Sequence, residues 1–428
     1  MQDLSWGRLF DQQTQDFQEL PWRFSKVPPD IDCWLPWGNG RSYGDLPLNP
    51  QGSLISTQQL NHLISFDPIS GRLKCESGVT LEQIIQLVLP WGWFLPVTPG
   101  TAKVTLGGAI ANDVHGKNHH HQGCFGNHIL QFELVRSDRR LVCSPEKNSD
   151  FFSATIAGMG LTGLISWAEI QLMRVPGSWL STETIRYQSL DDFLTINQQS
   201  KDWPYTVAWV DSMATGKQLG RGVYMRGRHI AHQADAANKK DKLDIPLNFP
   251  NFALNKFSVA AFNQLYYYGH PSKSEISHYR PFFYPLDAIN RWNRIYGKRG
   301  FYQYQCVVPK QSPQAVVEIL KTIAKSGQGS FLTVLKEFGD IASPGMLSFP
   351  MPGITYALDF ANRGSETKKL FKRLDAIVAE AGGRLYPAKD AAMSAEFYQQ
   401  SYPNWQQFEK FIDPKISSAF WQRVMGNK

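Results

Sequence analysis

The chain has 428 residues, more than one ordinary hydrophobic core accommodates, so two domains are expected. Hydrophobic residues make up 42% of the sequence and aromatic residues 13%, and this composition excludes an intrinsically disordered protein. The formal net charge of +7 suits an anionic ligand or a membrane surface better than duplex nucleic acid, so we expect no nucleic-acid partner.

Cysteine usage and apolar segments bear on the cellular compartment. The five cysteines form no CxxC pair and leave one over, which indicates a reducing compartment. The N-terminus lacks the charged and then apolar pattern of a signal peptide, and the longest apolar stretch, 84–97, is interrupted and too short to span a bilayer. We therefore expect a cytoplasmic or peripheral membrane protein without a signal peptide or a transmembrane helix.

The first part of the chain predicts a mixture of strands and helices. Residues 53–64 and 73–78 have the pattern of short strands, and 80–89 that of a helix that begins after a threonine cap. Residues 150–158 predict another helix, and 164–172 alternate like a strand. This order indicates an α+β fold.

The later part of the chain has a different character. Aromatic-rich strands such as 205–211 and 222–227 place the start of a second domain near Pro176. The segment at about 229–250 opens with a polar run and predicts a mobile surface loop. From residue 300 the predicted order is β-α-β-β-α-β, and 392–424 is predicted to be helical and to dock on the first domain.

Two glycine-rich loops are the clearest candidates for a ligand site. The first, GNGRSYGD at 38–45, adds Arg41 and Ser42 to three glycines, and the second, 105–127, gathers glycines, amides and imidazoles. Glycine allows positive φ and lets the backbone approach a phosphorylated cofactor closely. Ordinary tight turns have the same composition, so it is the occurrence of both loops together that favours a ligand.

Two other motifs resemble known sites only in part. GMGLTG at 158–163 has the letters of the GxGxxG dinucleotide fingerprint, but it lies between a predicted helix and a predicted strand, the reverse of the required order. His115 and His119 have the spacing of metal ligands on one helical face. Because Gly116 and Lys117 lie between them, solvated or substrate-facing histidines are favoured, and no metal is expected.

Seven motifs occur in one order across nearly the whole chain: GNGRSYGD, PGTAKVTLGGAIANDVHGKNHHHQGCFGNH, GMGLTG, FYQYQ, VLKEFG, SFPMPG and GGRLYPAKD. Together they resemble the decaprenylphosphoryl-β-D-ribose 2′-oxidase family, FAD-dependent flavoproteins of the vanillyl-alcohol oxidase and p-cresol methylhydroxylase type. The resemblance implies a two-domain α+β fold. Residues 1–175 and 384–428 would form the FAD-binding domain, and 176–383 a substrate-binding domain with an antiparallel sheet.

The resemblance also implies where FAD lies. The first loop and residues 100 and 105–108 would contact the pyrophosphate through backbone amides, and attachment would be non-covalent because Arg41 stands where several relatives carry the attaching histidine. The matching cofactor-binding residues are Trp37, Gly38, Asn39, Gly40, Arg41, Ser42, Tyr43, Gly44, Asp45, Gly100, Thr105, Leu106, Gly107, Gly108, Asn112, Asp113, Val114, His115, Ile165 and Tyr386.

Lys389 matches the family's essential lysine and would deprotonate or orient a substrate hydroxyl, whereas residue type alone favours a surface lysine paired with Asp390. Lys117 and His115 are alternatives for proton transfer. The matching substrate-binding residues are Lys117, Phe283, Gln303, Gln305, Lys336, Ala357 and Lys389. Two positions depart from the family: Phe283 replaces a pocket tyrosine, and Ala357 stands where mycobacterial members carry a cysteine.

The implied reaction is oxidation of a sugar's secondary alcohol, the 2′-hydroxyl of a polyprenyl-phosphoryl-β-D-ribose, to a ketone, with a partner reductase completing an epimerisation. Aromatic and basic residues between 262 and 299 suit a lipid-linked phosphate and a peripheral membrane contact. A packed aromatic core with a basic edge explains the same residues. An oxidase of aldonolactones or alditols on the same fold, and a flavin-free glycolipid-binding protein, are the alternatives.

Overall fold

The fold is that of a computed structural model, which describes residues 3–10, 15–27, 30–232, 243–250 and 252–426. No helix within these ranges combines the length and the apolar character needed to cross a membrane. The predicted loop at about 229–250 lies partly outside the described residues. Its first two residues, His229 and Ile230, belong to a strand, and the rings of His229 and Phe94 lie 5.1 Å apart.

Residues before 176 form three small sheets. The strands are β1 (Asp16–Glu19), β2 (Trp34–Trp37), β3 (Ser53–Ser56), β4 (Leu63–Asp67), β5 (Arg72–Glu76), β6 (Trp93–Phe94), β7 (Ile129–Val135), β8 (Arg140–Cys143), β9 (Leu164–Gln171) and β10 (Met173–Arg174). The helices are α1 (Leu81–Val88), α2 (Leu106–Ala111), α3 (His119–Gln122) and α4 (Ser149–Thr155). The sheet orders are β1-β3-β2, parallel, and β4-β5-β9-β7-β8 and β10-β6, antiparallel.

The remaining strands are β11 (Trp179–Tyr187), β12 (Tyr205–Val210), β13 (Gly222–Ile230), β14 (Leu243–Asp244), β15 (Lys273–His278), β16 (Ile289–Asn290), β17 (Phe301–Pro309), β18 (Thr333–Phe338), β19 (Gly353–Ala361) and β20 (Arg384–Leu385). The helices are α5 (Leu190–Gln199), α6 (Lys256–Gly269), α7 (Tyr279–Phe283), α8 (Pro313–Ser326), α9 (Ser365–Glu380), α10 (Ala395–Ser401), α11 (Trp405–Glu409) and α12 (Ala419–Met425). Short 3₁₀ helices span Leu89–Trp91, Phe125–His128, Gly216–Gln218, Pro285–Ala288 and Trp292–Tyr296.

An eight-stranded sheet, in the order β15-β11-β13-β12-β18-β19-β17-β20, dominates this second part, and its neighbouring strands are antiparallel. One face packs on helices, because apolar residues alternate along the strands: Tyr302 and Tyr304 contact the ring of Phe371 in α9. The same alternation turns Gln303 and Gln305 to the opposite face. That face forms a wall of the candidate site.

The predicted β-α-β-β-α-β order is present as β17-α8-β18-β19-α9-β20. The last predicted strand is shorter than expected, because the chain leaves the sheet after Leu385 and turns: the amides of Lys389 and Asp390 bond the carbonyl of Tyr386 at 3.0 and 3.1 Å. The strand predicted at 53–64 is also wrong in extent, since the chain turns after Ser56. Residues 392–424 include three short helices, and the last of them contacts the first part of the chain, because the Ala419 amide bonds the carbonyl of Leu48 at 2.8 Å.

Candidate active site

A cavity of about 670 Å³ lies between the eight-stranded sheet and the glycine-rich loops, a volume typical of small-molecule sites. The predicted cofactor residues in its wall are Trp37, Gly38, Asn39, Gly40, Arg41, Ser42, Tyr43, Gly100, Thr105, Gly107, Gly108, Asn112, Val114, His115, Ile165 and Tyr386. The predicted substrate residues in its wall are Lys117, Phe283, Gln303, Gln305, Lys336, Ala357 and Lys389. Two sets of residues predicted from separate motifs therefore share one space.

Gly44 and Asp45 lie outside the wall and fasten the first loop to the last part of the chain. A Cβ atom on Gly44 would lie 1.7 Å from the carbonyl oxygen of Asp390, so this close approach requires glycine. The Arg423 guanidinium donates to both carboxylate oxygens of Asp45, at 2.7 and 2.8 Å, and to Asp390 at 2.8 Å. These contacts join the first loop to the segment that carries Lys389.

Leu106 and Asp113, which the resemblance assigns to the cofactor, also lie outside the wall. The Leu106 side chain is buried in the hydrophobic core beneath α2. The Asp113 carboxylate accepts hydrogen bonds from Ser343 Oγ and Ser348 Oγ, each at 2.5 Å, and from the amide of Gly126 at 2.8 Å. Both residues therefore hold the second loop in place from behind.

The first loop offers free backbone donors. The amides of Gly38, Gly40, Arg41 and Ser42 donate to no partner within the described ranges, whereas the Tyr43 amide bonds the carbonyl of Ala388 at 3.0 Å. Gly40 has a φ of 58°, in the left-handed region that favours glycine. Successive free amides in such a turn form a concave surface that binds anions.

The second loop differs from its predicted role. The amides of Leu106 and Gly107 donate to the carbonyls of Val79 and Ser77, each at 2.8 Å, and the amide of Gly108 donates to Thr105 Oγ1 at 3.2 Å. These three amides already have partners, so they are not free donors for the predicted contact with a pyrophosphate. Thr105, Gly107 and Gly108 contribute the shape of the wall.

Five buried polar atoms of cavity-lining residues have no hydrogen-bond partner within the described chain: Arg41 Nε, Ser77 Oγ, Asn112 Oδ1, His115 Nδ1 and Asp359 Oδ2. Buried polar groups normally form hydrogen bonds, so these atoms are available to bind a ligand. The Arg41 guanidinium also lies 4.4 Å above the ring of Trp6, which orients it. Free amides, a guanidinium and an amide oxygen are a donor and acceptor set that fits FAD.

Three lysines of the cavity wall are buried enough for their pKa values to change. Burial lowers the pKa of Lys117 to about 8, and burial, helped by the neighbouring charge of Lys117, lowers the pKa of Lys336 to about 7. Burial also lowers the pKa of Lys389, while the carboxylate of Asp359 acts in the opposite direction. Lys389 Nζ lies 3.8 Å from the centre of the Tyr43 ring, and Lys336 Nζ donates to the carbonyl of Gly116 at 2.8 Å.

The polar strand face orders its own side chains. Gln305 Nε2 lies 3.0 Å from His115 Nε2 and donates to Thr355 Oγ1 at 3.3 Å. Burial, and then the charge of Lys336, hold the pKa of His115 well below its usual value, so this imidazole is neutral. An imidazole with so low a pKa is a weak proton acceptor, and its Nε2 faces the Gln305 amide, which disfavours His115 as the base.

Gln303 donates to Asp359 Oδ1 at 2.6 Å, and the two residues are register partners on β17 and β19. Asp359 is buried and lines the cavity, and burial raises its pKa. The sequence motifs did not point to Asp359. Two features of the sequence could have identified it. Asp359 is two residues beyond Ala357 on the same strand, so both face the same side, and a carboxylate within an apolar strand is unfavourable unless it has a partner or a function.

The Phe283 position shows what replaces the family's tyrosine. Its ring is buried and lies 4.8 Å from the ring of Tyr205 and 5.6 Å from that of Phe94. The hydroxyl of the neighbouring Tyr284 bonds Thr98 Oγ1 at 2.5 Å. Tyr284 therefore does not restore the missing hydroxyl to the cavity.

The remaining histidines of the second loop bind the backbone. The His119 ring accepts from the Gly339 amide at 3.1 Å, and the rings of His120 and His121 bond the carbonyls of Trp203 and Lys201 at 2.9 and 2.8 Å. In the described part of the chain, no group of three or more His, Cys, Asp or Glu residues is placed to hold a metal ion.

Comparison with known proteins agrees with this geometry. The FAD binding domain family matches residues 32–143. A decaprenylphosphoryl-beta-D-ribose oxidase of Mycolicibacterium smegmatis is 35% identical over 395 residues, which cover 88% of this chain and 85% of that protein. A protein of Streptomyces coelicolor described as an uncharacterized protein in the mprA 5' region is 31% identical over 362 residues, covering 80% and 97%.

A shorter match concerns the first part of the chain only. Delta(24)-sterol reductase of Homo sapiens is 32% identical over 115 residues, which cover 27% of this chain and 22% of that protein. The extent of the Mycolicibacterium match distinguishes it from this partial one. The chain therefore belongs to the decaprenylphosphoryl-beta-D-ribose oxidase family and is an FAD-dependent oxidoreductase.

Proposed function

We propose that the chain oxidises the 2′-hydroxyl of a polyprenyl-phosphoryl-β-D-ribose to the ketone, with FAD bound non-covalently. The observation that carries the proposal is one cavity that joins the free amides of the first loop to three buried lysines and a polar strand face. The oxidase of Mycolicibacterium smegmatis, named for a substrate of this class, supports the choice of sugar.

The first loop is assigned to the FAD pyrophosphate, through the amides of Gly38, Gly40 and Ser42 and the guanidinium of Arg41. Asn112 and Tyr386 are assigned to the flavin end, where the Tyr386 hydroxyl donates to the carbonyl of Asn112 at 2.8 Å. FAD, when bound, supplies the acceptor for the hydride that leaves the sugar carbon. Yellow colour that stays with acid-precipitated protein would contradict non-covalent attachment.

Lys389 is assigned as the group that accepts the proton of the substrate hydroxyl. Because burial lowers the pKa of Lys389, a larger fraction of its side chain is the neutral amine near neutral pH, and a neutral amine accepts a proton. The Tyr43 ring, at 3.8 Å, stabilises the ammonium that results. Asp359 lines the same cavity, and its carboxylate favours that ammonium as well.

The other polar residues position the sugar and its phosphate. The side-chain amides of Gln303 and Gln305, on one face of β17, are assigned to sugar hydroxyls. The ammonium groups of Lys117 and Lys336 are assigned to the phosphate, whose negative charge would raise the lysine pKa values back towards normal. Ala357 leaves that place in the wall without a reactive side chain.

The proposal extends to the two domains, a partner enzyme and the membrane. Residues 1–175 and 384–428 act as the FAD-binding domain and 176–383 as the substrate-binding domain, although Arg384 and Leu385 still pair with β17. A reductase then reduces the ketone to the epimeric sugar for the cell envelope. A lipid-linked substrate places the protein at the periphery of a membrane.

An anaerobic visible spectrum tests the proposal. Adding a polyprenyl-phosphoryl ribose to the purified holoenzyme is expected to bleach the oxidised flavin band. Lys389→Met should bleach more slowly by about 10²-fold or more. The exposed Lys372, changed to Met, is the matched control and should bleach at the wild-type rate.

Other outcomes have distinct meanings. A flavin that stays oxidised with this substrate but is reduced by a free aldonolactone or alditol assigns the chain to the alternative oxidase class. Protein that takes up no flavin yet binds the glycolipid would be the binding protein of the second alternative. A Lys389→Met variant that reduces at the wild-type rate removes the catalytic assignment.

A further inference from the structure

The segment from Ile245 to Gly269, which ends with α6, is unusual in composition. Its sequence, IPLNFPNFALNKFSVAAFNQLYYYG, contains a single charged residue, Lys256. Soluble proteins cover exposed helices with charged side chains, and an exposed apolar patch of this kind marks an interaction site. The segment is therefore a candidate docking surface.

The apolar side chains of this segment are largely exposed. Leu247 is 76% exposed, Phe252 79%, Phe257 73%, Leu265 76% and Tyr268 61%. At 100° per residue, the three members on α6 lie within about 80° of one another around the helix. We call these five side chains the apolar face. In α6, the buried residues Val259, Asn263 and Tyr267 form the opposite side.

The apolar face is continuous with the cavity through α6 itself. Phe262 and Tyr266, on the flank of this helix, line the cavity, and their rings lie 5.9 Å apart. The Tyr266 ring lies 4.6 Å from that of Trp209, and the Phe262 ring lies 5.4 Å from that of Phe331. A row of aromatic rings thus leads from the cavity wall to the surface.

Positive charge borders the apolar face. Arg186 lies over the ring of Tyr268 at 5.8 Å, Arg294 donates to the carbonyl of Ile245 at 3.3 Å, and Arg363 donates to the carbonyl of Leu254 at 3.2 Å. Within the described part of the chain, none of these arginines forms a salt bridge with a carboxylate. Exposed apolar groups ringed by cations complement an anionic bilayer.

We infer that the apolar face inserts into the surface of an anionic lipid bilayer and that the prenyl chain of the substrate leaves the cavity past Phe262 and Tyr266 into that bilayer. The inferred path of the prenyl chain rests on the proposed function, whereas the inferred docking on the bilayer does not. Docking at this face lets the phosphoryl sugar reach Lys389 while its lipid remains among other lipids. Extraction of a long apolar chain into water, which is unfavourable, is avoided.

Vesicle binding by the FAD-loaded protein tests the docking without any substrate. Protein is sedimented with vesicles of phosphatidylcholine containing phosphatidylglycerol and with vesicles of phosphatidylcholine alone. We expect binding to the anionic vesicles, weaker binding to the neutral ones, and weakening by salt. Equal binding to both vesicle types would overturn the role of the cationic border.

A double variant, Phe257→Ser with Leu265→Ser, removes two side chains of the apolar face that do not line the cavity. Partition into the anionic vesicles should fall by about tenfold for each side chain lost. The matched control is Ile69→Ser, because Ile69 is 86% exposed in a turn far along the chain from α6. Retained flavin absorbance shows that each variant is folded.

Two results would overturn docking on lipid. One is that the double variant binds vesicles as well as the wild type. The other is that the wild type ignores vesicles but forms a dimer that the double variant dissociates, which would make the face an interface between two copies of this chain.

Flavin reduction then tests the prenyl path. The double variant should react at the wild-type rate with a short-chain, water-soluble phosphoryl ribose and slowly with the long-chain substrate in vesicles. Equal slowing with both substrates would overturn the path. If neither substrate reduces the wild-type flavin, the proposed function fails, while the vesicle measurement still decides the docking.

Discussion

Replacing Gly44 with alanine tests whether the contact behind the first loop sets the position of Lys389. The new Cβ would lie 1.7 Å from the carbonyl oxygen of Asp390, 2.6 Å from its carbonyl carbon and 3.1 Å from the Cα of Ala391. All three atoms belong to the backbone, which cannot rotate away as a flexible side chain can. The two segments must therefore separate by about 1.7 Å for the shortest contact to reach 3.4 Å.

The separation has a structural and a catalytic cost. Overpacking of this kind destabilises a protein by about 1–3 kcal/mol. Gly44 follows Tyr43 and Asp390 follows Lys389, so the same shift opens the 3.8 Å contact between the Lys389 ammonium and the Tyr43 ring. A misplacement of about 1 Å can cost about 10²-fold in rate. We expect flavin reduction to slow by about that factor.

Two assays separate these effects. Urea unfolding of the FAD-free protein measures the loss of stability, and anaerobic stopped-flow spectroscopy at saturating FAD and substrate measures reduction. Gly269→Ala is the control, because a Cβ there meets nothing within 4 Å. Wild-type unfolding and wild-type reduction in Gly44→Ala would refute the reasoning, since they would mean that the loop and the Asp390 backbone are not in contact.

Three further predictions concern the cavity wall. A Cβ on Gly100 meets nothing within 4 Å, so Gly100→Ala should leave the stability of the FAD-free protein unchanged. Because FAD is expected to fill that space, the substitution should weaken FAD binding by about tenfold in a fluorescence titration. An unchanged affinity would mean that FAD does not contact Gly100. Burial lowers the pKa of Lys336 to about 7, so between pH 7 and 10.5 the unfolded chain binds more protons than the folded one, and the free energy of unfolding should rise with pH. Lys336→Met should remove on the order of 5 kcal/mol of this rise, measured by urea unfolding at several pH values. An unaltered rise in the variant would contradict the prediction. Asp359→Asn removes a charge that raises the pKa of Lys389, so the acid limb of kcat/KM should move to lower pH; a shift to higher pH, or none, would mean that Asp359 does not act on Lys389.

Periodicity was sufficient to predict the strand that carries the polar face. In β17 the tyrosines and glutamines alternate, and a two-residue period assigns them to opposite faces without knowledge of the partner strands. The β-α-β-β-α-β order was predictable for the same reason, because α8 and α9 have clear helical periods and β17 to β19 are apolar between them.

Contacts between distant segments were not predictable from local pattern. The Asp287 carboxylate accepts from Thr101 Oγ1 at 2.6 Å and from the Ala102 amide at 2.8 Å, across about 185 residues of sequence, and neither partner has a local signal for the other. The amides of α2 illustrate the same limit. A glycine-rich helix start resembles a phosphate site, but here the carbonyls of Ser77 and Val79 accept from its amides.

The Arg423 contacts also determine when the cofactor site can be completed during biosynthesis. The ribosome makes the first loop early, yet the guanidinium that neutralises Asp45 belongs to α12, 378 residues later. Until α12 has been synthesised, Asp45 and Asp390 lack the Arg423 guanidinium that joins them, and the loop meets the segment at 388–390 without this ion pair. Stable loading of FAD should therefore follow translation, and a nascent chain stalled before α12 should hold the flavin weakly even though its first 175 residues are complete.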